Sequence, residues 1–201
     1  MIRIVVAEDE GLTREALVAL IGLAEGLCVV ASTGRGDEVL VLAEEHAADL
    51  VILDVEMPGM DGIQVVERLQ ALRAGFPTLM LTSHARPGSL QRALRAGARG
   101  FLTKEVSAER LWDVIRRVHG GDRYVDPGLA AAALAAGDNP LTAREAEVLR
   151  WAGEGNPLGV VADKLNVSEG TVRNHMSSAI RKLGAPNRIV AFHRATEAGW
   201  I

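Results

Sequence analysis

The chain has 201 residues, 48% hydrophobic and 24% charged, which is the composition of an ordinary soluble globular protein with length for one or two cores. Aromatics at 3% leave Leu, Val, Ile and Ala to fill those cores, a lone Cys28 excludes a disulfide framework within the chain, and no apolar run approaches the roughly 18 residues of a membrane span. The net charge of -4 divides unevenly into -4 over residues 1–121, -2 over 122–140 and +2 over 141–201, a mild asymmetry that hints at a nucleic-acid-facing end and decides nothing alone.

Strand and helix signals alternate from the start. Ile2–Ala7 is an apolar run that ends in Glu8 and Asp9, so the N-terminus reads as a strand and not as a signal peptide. Thr13 to Ala24 carries Leu17, Leu20 and Ile21 at helical spacing. Cys28–Ala31 reads as a strand, with Cys28 expected as an inert buried thiol. Gly36 to Glu45 predicts a helix through Val39, Leu40, Leu42 and Ala43. Leu50–Leu53 is the short continuous run of a parallel strand buried on both faces, and Asp54 ends it. Met57-Pro58-Gly59 breaks the chain into a loop, and Asp61 is a helix-start acid before Ile63–Leu72, whose Val66 and Leu69 face inward. Thr78–Thr82 is the next strand. Pro87–Ala96 is a helix with proline in its first turn and Gly97 as its cap. Gly100–Thr103 is a fifth strand, and Ser107 caps a helix that ends near His119.

Five such units in about 120 residues indicate a doubly wound parallel α/β sheet. Right-handed crossovers in the order 2-1-3-4-5 place the first and third strands side by side. Glu8, Asp9 and Asp54 then meet in one crevice at the carboxyl edge. Carboxylates that close raise one another's pKa unless a cation joins them, and an all-oxygen site with room for water suits Mg²⁺. Thr82 and Lys104 close neighbouring strands at the same rim. A phosphoryl group on Asp54 would meet the metal, a hydroxyl and an ammonium, which is the positioning and charge neutralisation that phosphoryl transfer needs.

Gly120 to Pro140 is a boundary of two glycine-rich turns and an Ala-rich patch, Leu129–Ala136, read as a short linker helix. From Leu141 the periodicity is purely helical. Thr142 with Glu145 is a capping box, and Val148, Leu149 and Ala152 follow until Gly153 and Gly155. Pro157 to Leu165 is a second helix with Val160, Val161 and Leu165 inward. Asn166-Val167 is a tight turn, and Ser168 caps a third helix to Leu183. Ile189 to Ala198 is a fourth. The second and third form a helix-turn-helix. On the third, Val172, Met176, Ala179 or Ile180, and Leu183 form the inward stripe, while Arg173, Asn174, Ser177 and Arg181 lie opposite, as a recognition helix requires. Arg173 and Asn174 suit bidentate contacts to guanine and adenine, and Thr171, Lys182 and Arg188 suit phosphate contacts. Glu169 fits the helix dipole and belongs beside the DNA backbone.

These motifs resemble a known family. Residues 1–121, with Glu8-Asp9, L-D-V-E-M-P-G-M-D-G, Thr82 and G-F-L-T-K, resemble a response-regulator receiver domain. Residues 138–201, with N-P-L-T-A-R-E-A-E-V-L and S-E-G-T-V-R-N-H-M-S-S-A-I-R-K-L-G, are similar to the LuxR-type domain of the NarL/FixJ regulators, and 122–137 is then the linker. The segment T-S-H-A-R-P-G-S-L-Q-R-A-L-R-A-G, with E-A-G-W, is similar to regulators of membrane-lipid desaturation. The resemblance implies a cytoplasmic transcription factor, not an enzyme beyond slow self-dephosphorylation, that accepts phosphate on Asp54 from a histidine kinase. It implies Mg²⁺ held by Glu8, Asp9, Asp54 and the Glu56 backbone carbonyl. It implies Thr82 and Phe101 as a switch pair, and a phosphorylated homodimer on double-stranded promoter DNA without membrane insertion.

Taken singly, Thr82, Lys104 and Phe101 are a strand-end residue, a solvated lysine and a core ring. The joint occurrence of Glu8, Asp9, Asp54, Thr82 and Lys104 at the strand ends is what carries the reading. His46, His84 and His119 have no partner at ligand spacing, and Trp112, Trp151 and Trp200 are expected in the core or an interface. Two other functions compete. Asp54-Val55-Glu56 superficially matches the Asp-x-Asp of haloacid-dehalogenase-like phosphatases but lacks their second Asp and cap. A regulator that ignores phosphate and switches by oligomerisation or ligand would not need so full a pocket. The second helix of the DNA-binding end departs from the family: Asn156-Pro157-Leu158-Gly159 replaces polar helix formers, and Gly159 costs up to about 1 kcal/mol against Ala.

Overall fold

The computed structural model describes residues 1–72, 75–83 and 86–201. They form two compact units: Met1–Ala85 with Ser89–Ala131, and Ala132–Ile201 with Arg86–Gly88.

In the first unit, β1 (Ile2–Ala7), β2 (Leu27–Thr33), β3 (Leu50–Asp54), β4 (Thr78–Thr82), β5 (Gly100–Thr103) and β6 (Tyr124–Val125) form one parallel sheet in the order β2-β1-β3-β4-β5-β6. The expected five-strand order is present, with one short strand added. β3 and β4 are buried along their whole length, which is why they read as unbroken apolar runs instead of alternating ones. The register aligns the strand ends: Ala7 pairs with Leu53, Asp54 with Leu81, and Thr82 with Thr103. All the chemistry-bearing residues that follow those positions therefore emerge at one edge.

The crossovers are α1 (Gly11–Gly22), α2 (Val39–Glu45), α3 (Gly62–Ala71), α4 (Pro87–Ala96) and α5 (Ala108–His119). A 3₁₀ turn at Gly36–Glu38 takes the place expected for the first turn of α2. Asp61 is the N-cap of α3, as its position suggested: Oδ1 accepts from the Gln64 N–H at 2.7 Å, and Gln64 Oε1 accepts from the Asp61 N–H at 3.0 Å. Gly62 is required by a close approach, since a Cβ there would lie 2.0 Å from the Asp54 carbonyl oxygen. Ile4, Val6, Ile52, Leu79, Leu81 and Leu102 from the sheet pack with Leu17 and Ile21 of α1 and with Leu111, Val114, Ile115 and Val118 of α5. Trp112 joins this packing and donates its indole N–H to the Leu20 carbonyl at 3.1 Å.

Two expectations change here. Cys28 is half-buried, because β2 is an edge strand of the sheet. β6 was not expected: Tyr124 and Val125 pair with Gly100 and Phe101, and the Tyr124 ring is buried between the guanidinium groups of Arg110 and Arg117. His46 is half-buried and His119 exposed, while His84 lies outside the described residues.

The remaining helices are α6 (Pro127–Ala136), α7 (Ala143–Gly153), α8 (Leu158–Leu165), α9 (Glu169–Lys182) and α10 (Arg188–Glu197). Thr142 and Glu145 form the anticipated capping box of α7. Pro157 is the N-cap of α8 and not a first-turn residue. Val148, Leu149, Val161, Leu165, Val172, Met176, Ala179 and Leu183 build the core of the second unit, with Trp151 and Trp200 packed against it. Val160 is 42% exposed, contrary to expectation. The buried residues of α8 are Val161, Ala162 and Leu165, and one step of about 100° turns Val160 away from them.

Candidate functional site

Glu8 and Asp9 leave β1, Asp54 ends β3, Thr82 ends β4, and Lys104 follows β5. Parallel pairing in register carries all of them to the same edge. Carboxylate oxygens of Glu8, Asp9 and Asp54 come within 4.8 Å of one another. Asp9, Asp54, Glu56, Thr82 and Lys104 line a cleft of about 140 Å³, together with Glu10 and Ser83, neither of which stood out in the sequence. Glu8, Asp54 and Thr82 are buried while Asp9 is exposed, so the cleft has a dry floor and a wet rim.

The floor is a charge network. Lys104 Nζ lies 2.7 Å from Glu8 Oε2 and 3.3 Å from Asp54 Oδ2. Asp54 Oδ1 accepts from the Val55 N–H at 2.8 Å. Burial pushes the Asp54 carboxyl up, the nearby Glu8 charge adds to this, and Lys104 and the Val55 N–H offset part, leaving it at about 6. Burial works against the charge on Lys104, but the hydrogen bond to Glu8 and the attraction of Asp54 prevail and raise it. Arg14, another residue without a sequence signal, donates from Nη1 to the Glu8 carbonyl at 2.6 Å and so ties α1 to the acidic turn.

The donor chemistry fits a hard divalent cation. Three carboxylates from two neighbouring strand ends carry more negative charge than one lysine neutralises, and the open rim leaves room for water ligands. Phe101 is fully buried in β5, and Thr82 pairs with Thr103 in the strand alignment beside it.

In the second unit the turn between α8 and α9 is made by Asn166 in the left-handed conformation, φ 52°. Asparagine tolerates this region better than most residues. Ser168 caps α9 by accepting from the Thr171 N–H at 3.1 Å, and the two hydroxyls lie 2.8 Å apart. Val172, Met176 and Ala179 are buried, and Arg173, Asn174, Ser177 and Arg181 are exposed on the other side. Ile180 is only half-buried, so Ala179 is the inward member of that pair. Glu169 makes an i,i+4 ion pair with Arg173 at 3.8 Å. Arg188 is exposed at the start of α10. Lys182 has a partner that the sequence did not suggest: its Nζ lies 2.7 Å from Glu145 Oε2 on α7.

Known proteins share both halves. Residues 4–116 match the response regulator receiver domain, and residues 139–195 match the bacterial regulatory proteins of the luxR family. The chain is 38% identical over 201 residues to the transcriptional regulatory protein DesR of Bacillus subtilis, covering all of both chains. It is 38% identical over 200 residues to the response regulator RamR of Streptomyces coelicolor, covering all of this chain and 98% of that one. Among solved structures it is similar to the response regulator ChrA of a heme-sensing two-component system, with 30% identity, a TM-score of 0.61, and 100% and 98% of the two chains covered. It shares its fold with RcsB in a DNA complex, with 23% identity, a TM-score of 0.68, and 98% of each chain covered. With an acidic cleft at the strand ends of one unit and a helix-turn-helix in the other, and with relatives matched from end to end, the chain belongs to the two-component response regulators that join a receiver domain to a LuxR-type DNA-binding domain.

Proposed function

We propose that Asp54 is the phosphoacceptor through which this DNA-binding regulator is switched. The supporting observation is the convergence of Glu8, Asp9 and Asp54 within 4.8 Å, with the Lys104 ammonium 3.3 Å from Asp54 Oδ2. The donor is a histidine kinase. The carboxylate oxygen forms the new P–O bond as the P–N bond of the kinase phosphohistidine breaks and its electrons return to the imidazole nitrogen. Asp54 is not expected to give turnover of free phosphate esters, and slow hydrolysis of its own acyl phosphate is the only enzymatic step assigned.

Glu8, Asp9, Asp54 and the backbone carbonyl of Glu56 would hold Mg²⁺, which when bound neutralises charge on the phosphoryl oxygens. Lys104 stabilises the phosphoryl group, and Thr82 supplies a hydroxyl donor from the buried floor of the cleft. Reorientation of Thr82 and repacking of Phe101 then shift the population toward a homodimer on a two-fold promoter site. Arg173 and Asn174 read base edges, with Ser177 and Arg181 beside them, and Thr171 and Arg188 contact phosphate. The receiver domain covers 1–121 with β6 appended to its sheet, 122–137 includes the linker helix, and 138–201 binds DNA. The site of action is the cytoplasm. Among the described residues no helix is long and apolar enough to cross a membrane.

The test is to size the full chain with and without beryllofluoride and Mg²⁺ and to footprint DNA under both conditions. A larger species with new protection, absent in Asp54→Ala, supports the switch. Identical size and footprints in both conditions overturn it.

A further inference from the structure

Glu145 is 4% exposed, and all its partners converge from different parts of the helical unit. Oε2 accepts from the Thr142 N–H at 2.7 Å and from Lys182 Nζ at 2.7 Å, while Oε1 accepts from Ser178 Oγ at 2.7 Å. One carboxylate thus completes the cap of α7 and grips α9 at two points one turn apart. At about 100° per residue, Ser178 and Lys182 lie on the flank of α9 between its buried stripe and the exposed face of Asn174 and Arg181. A grip on that flank sets the roll of the helix about its own axis. Burial opposes the charge on Glu145, but the bonds from Lys182, Ser178 and Thr142 hold its carboxyl down at about 2, so the ion pair is intact at neutral pH.

We propose that Glu145 is a positioning residue for DNA reading: with Ser178 and Lys182 it clasps α9 at the roll that presents Arg173 and Asn174 to the duplex, and the Lys182 ammonium is held by Glu145 and not by a DNA phosphate. This rests on the reading that α9 carries the base contacts. The two kinds of lysine differ in a measurable way. A lysine on phosphate releases counterions, so its loss lowers the slope of log K against log salt by about 0.9. A lysine in an intramolecular clasp leaves that slope alone and changes the preference for the correct sequence.

The experiment uses the full chain with beryllofluoride and Mg²⁺, a duplex selected by the wild-type protein from a random pool, and a scrambled duplex of the same composition. Lys182→Met and Glu145→Gln are each expected to cut affinity for the selected duplex about tenfold or more. Affinity for the scrambled duplex should stay within about twofold, and the Lys182→Met salt slope should be unchanged. A slope lowered by about 0.9 per bound subunit in Lys182→Met, or undiminished sequence preference in both variants, overturns the clasp. If circular dichroism shows either variant unfolded, Ser178→Ala, which removes one donor only, must lower the preference about threefold or more, and an unchanged preference overturns the proposal. Failure of the wild-type protein to select any duplex defeats the reading of α9 instead.

Discussion

The Lys104 ammonium is closer to Glu8, at 2.7 Å, than to Asp54, at 3.3 Å. The lysine therefore serves as counter-ion to the acid beneath the acceptor and reaches the acceptor itself more loosely. A divalent ion drawn to Glu8 would compete for that acid and leave Lys104 free to turn toward a phosphoryl oxygen. Lys104→Met removes the cation and leaves two buried carboxylates facing each other. Breaking such a pair costs about 3–5 kcal/mol when nothing replaces it. Chemical denaturation of the variant should show a loss of that order without Mg²⁺ and partial recovery with it. Equal stability in both forms would mean that solvent already screens the network.

Asp54 makes its own contribution to pH dependence. Its folded pKa of about 6 lies above the ordinary 3.8, so the folded state holds a proton that the unfolded state has released between those values. Stability accordingly falls as pH rises through that window, and the penalty, about 3 kcal/mol, is complete above it. Asp54→Asn is expected to be more stable than wild type at pH 8 by up to about that amount, and level with it near pH 3.5. Guanidinium unfolding at the two pH values measures this, and a stability gap independent of pH would rule out the assigned titration.

Magnesium should stabilise the fold by mass action, by about 2.7 kcal/mol at a hundredfold excess over its dissociation constant. Asp9 is the exposed member of the acidic cluster, so Asp9→Asn removes a ligand without opening a buried hole. Melting curves with and without Mg²⁺ should separate widely for wild type and nearly coincide for the variant. An undiminished shift in Asp9→Asn would place the ion elsewhere.

Gly62 sits beneath the acceptor strand, where a Cβ would meet the Asp54 carbonyl oxygen at 2.0 Å and the Met80 methyl at 3.0 Å. Backbone cannot yield as a flexible side chain can, so Gly62→Ala must push α3 off β3. A cost of about 1–3 kcal/mol or more follows, together with slower labelling of Asp54 by a small phosphodonor. A urea midpoint equal to wild type would show that α3 moves freely.

Arg173→Ala tests the base-reading assignment. Loss of a bidentate contact lowers discrimination by about 1–3 kcal/mol at one base pair and leaves binding to other sequences nearly unchanged. Competition with single-base variants of a selected duplex reads this out. Uniform weakening across all of them would make Arg173 a phosphate contact.

Local chemistry was the most legible part of this protein. Asp61 with Gln64, Thr142 with Glu145, and Ser168 with Thr171 close their bonds within three residues, so neighbours in the chain are neighbours in space. The continuous apolar run Leu50–Leu53 likewise declared a strand covered on both faces. β6 left no such trace, because two residues carry no periodicity and Tyr124 owes its place to Arg110 and Arg117 on α5. Cys28 looked buried from its apolar neighbours, yet its exposure follows from an edge position that only the strand order assigns.

The amino-acid order by itself determined every strand but β6, the helices and most of their caps, and which acids, hydroxyl and lysine stand at strand ends. Each of those follows from spacing along a few residues of chain. Tertiary structure alone decided that Lys104 would sit nearer Glu8 than Asp54, that Asp54 would be buried enough to hold its proton to about pH 6, and that Lys182 would face Glu145. Those outcomes depend on distances and desolvation between residues tens of positions apart, and such quantities exist only once the chain has closed on itself.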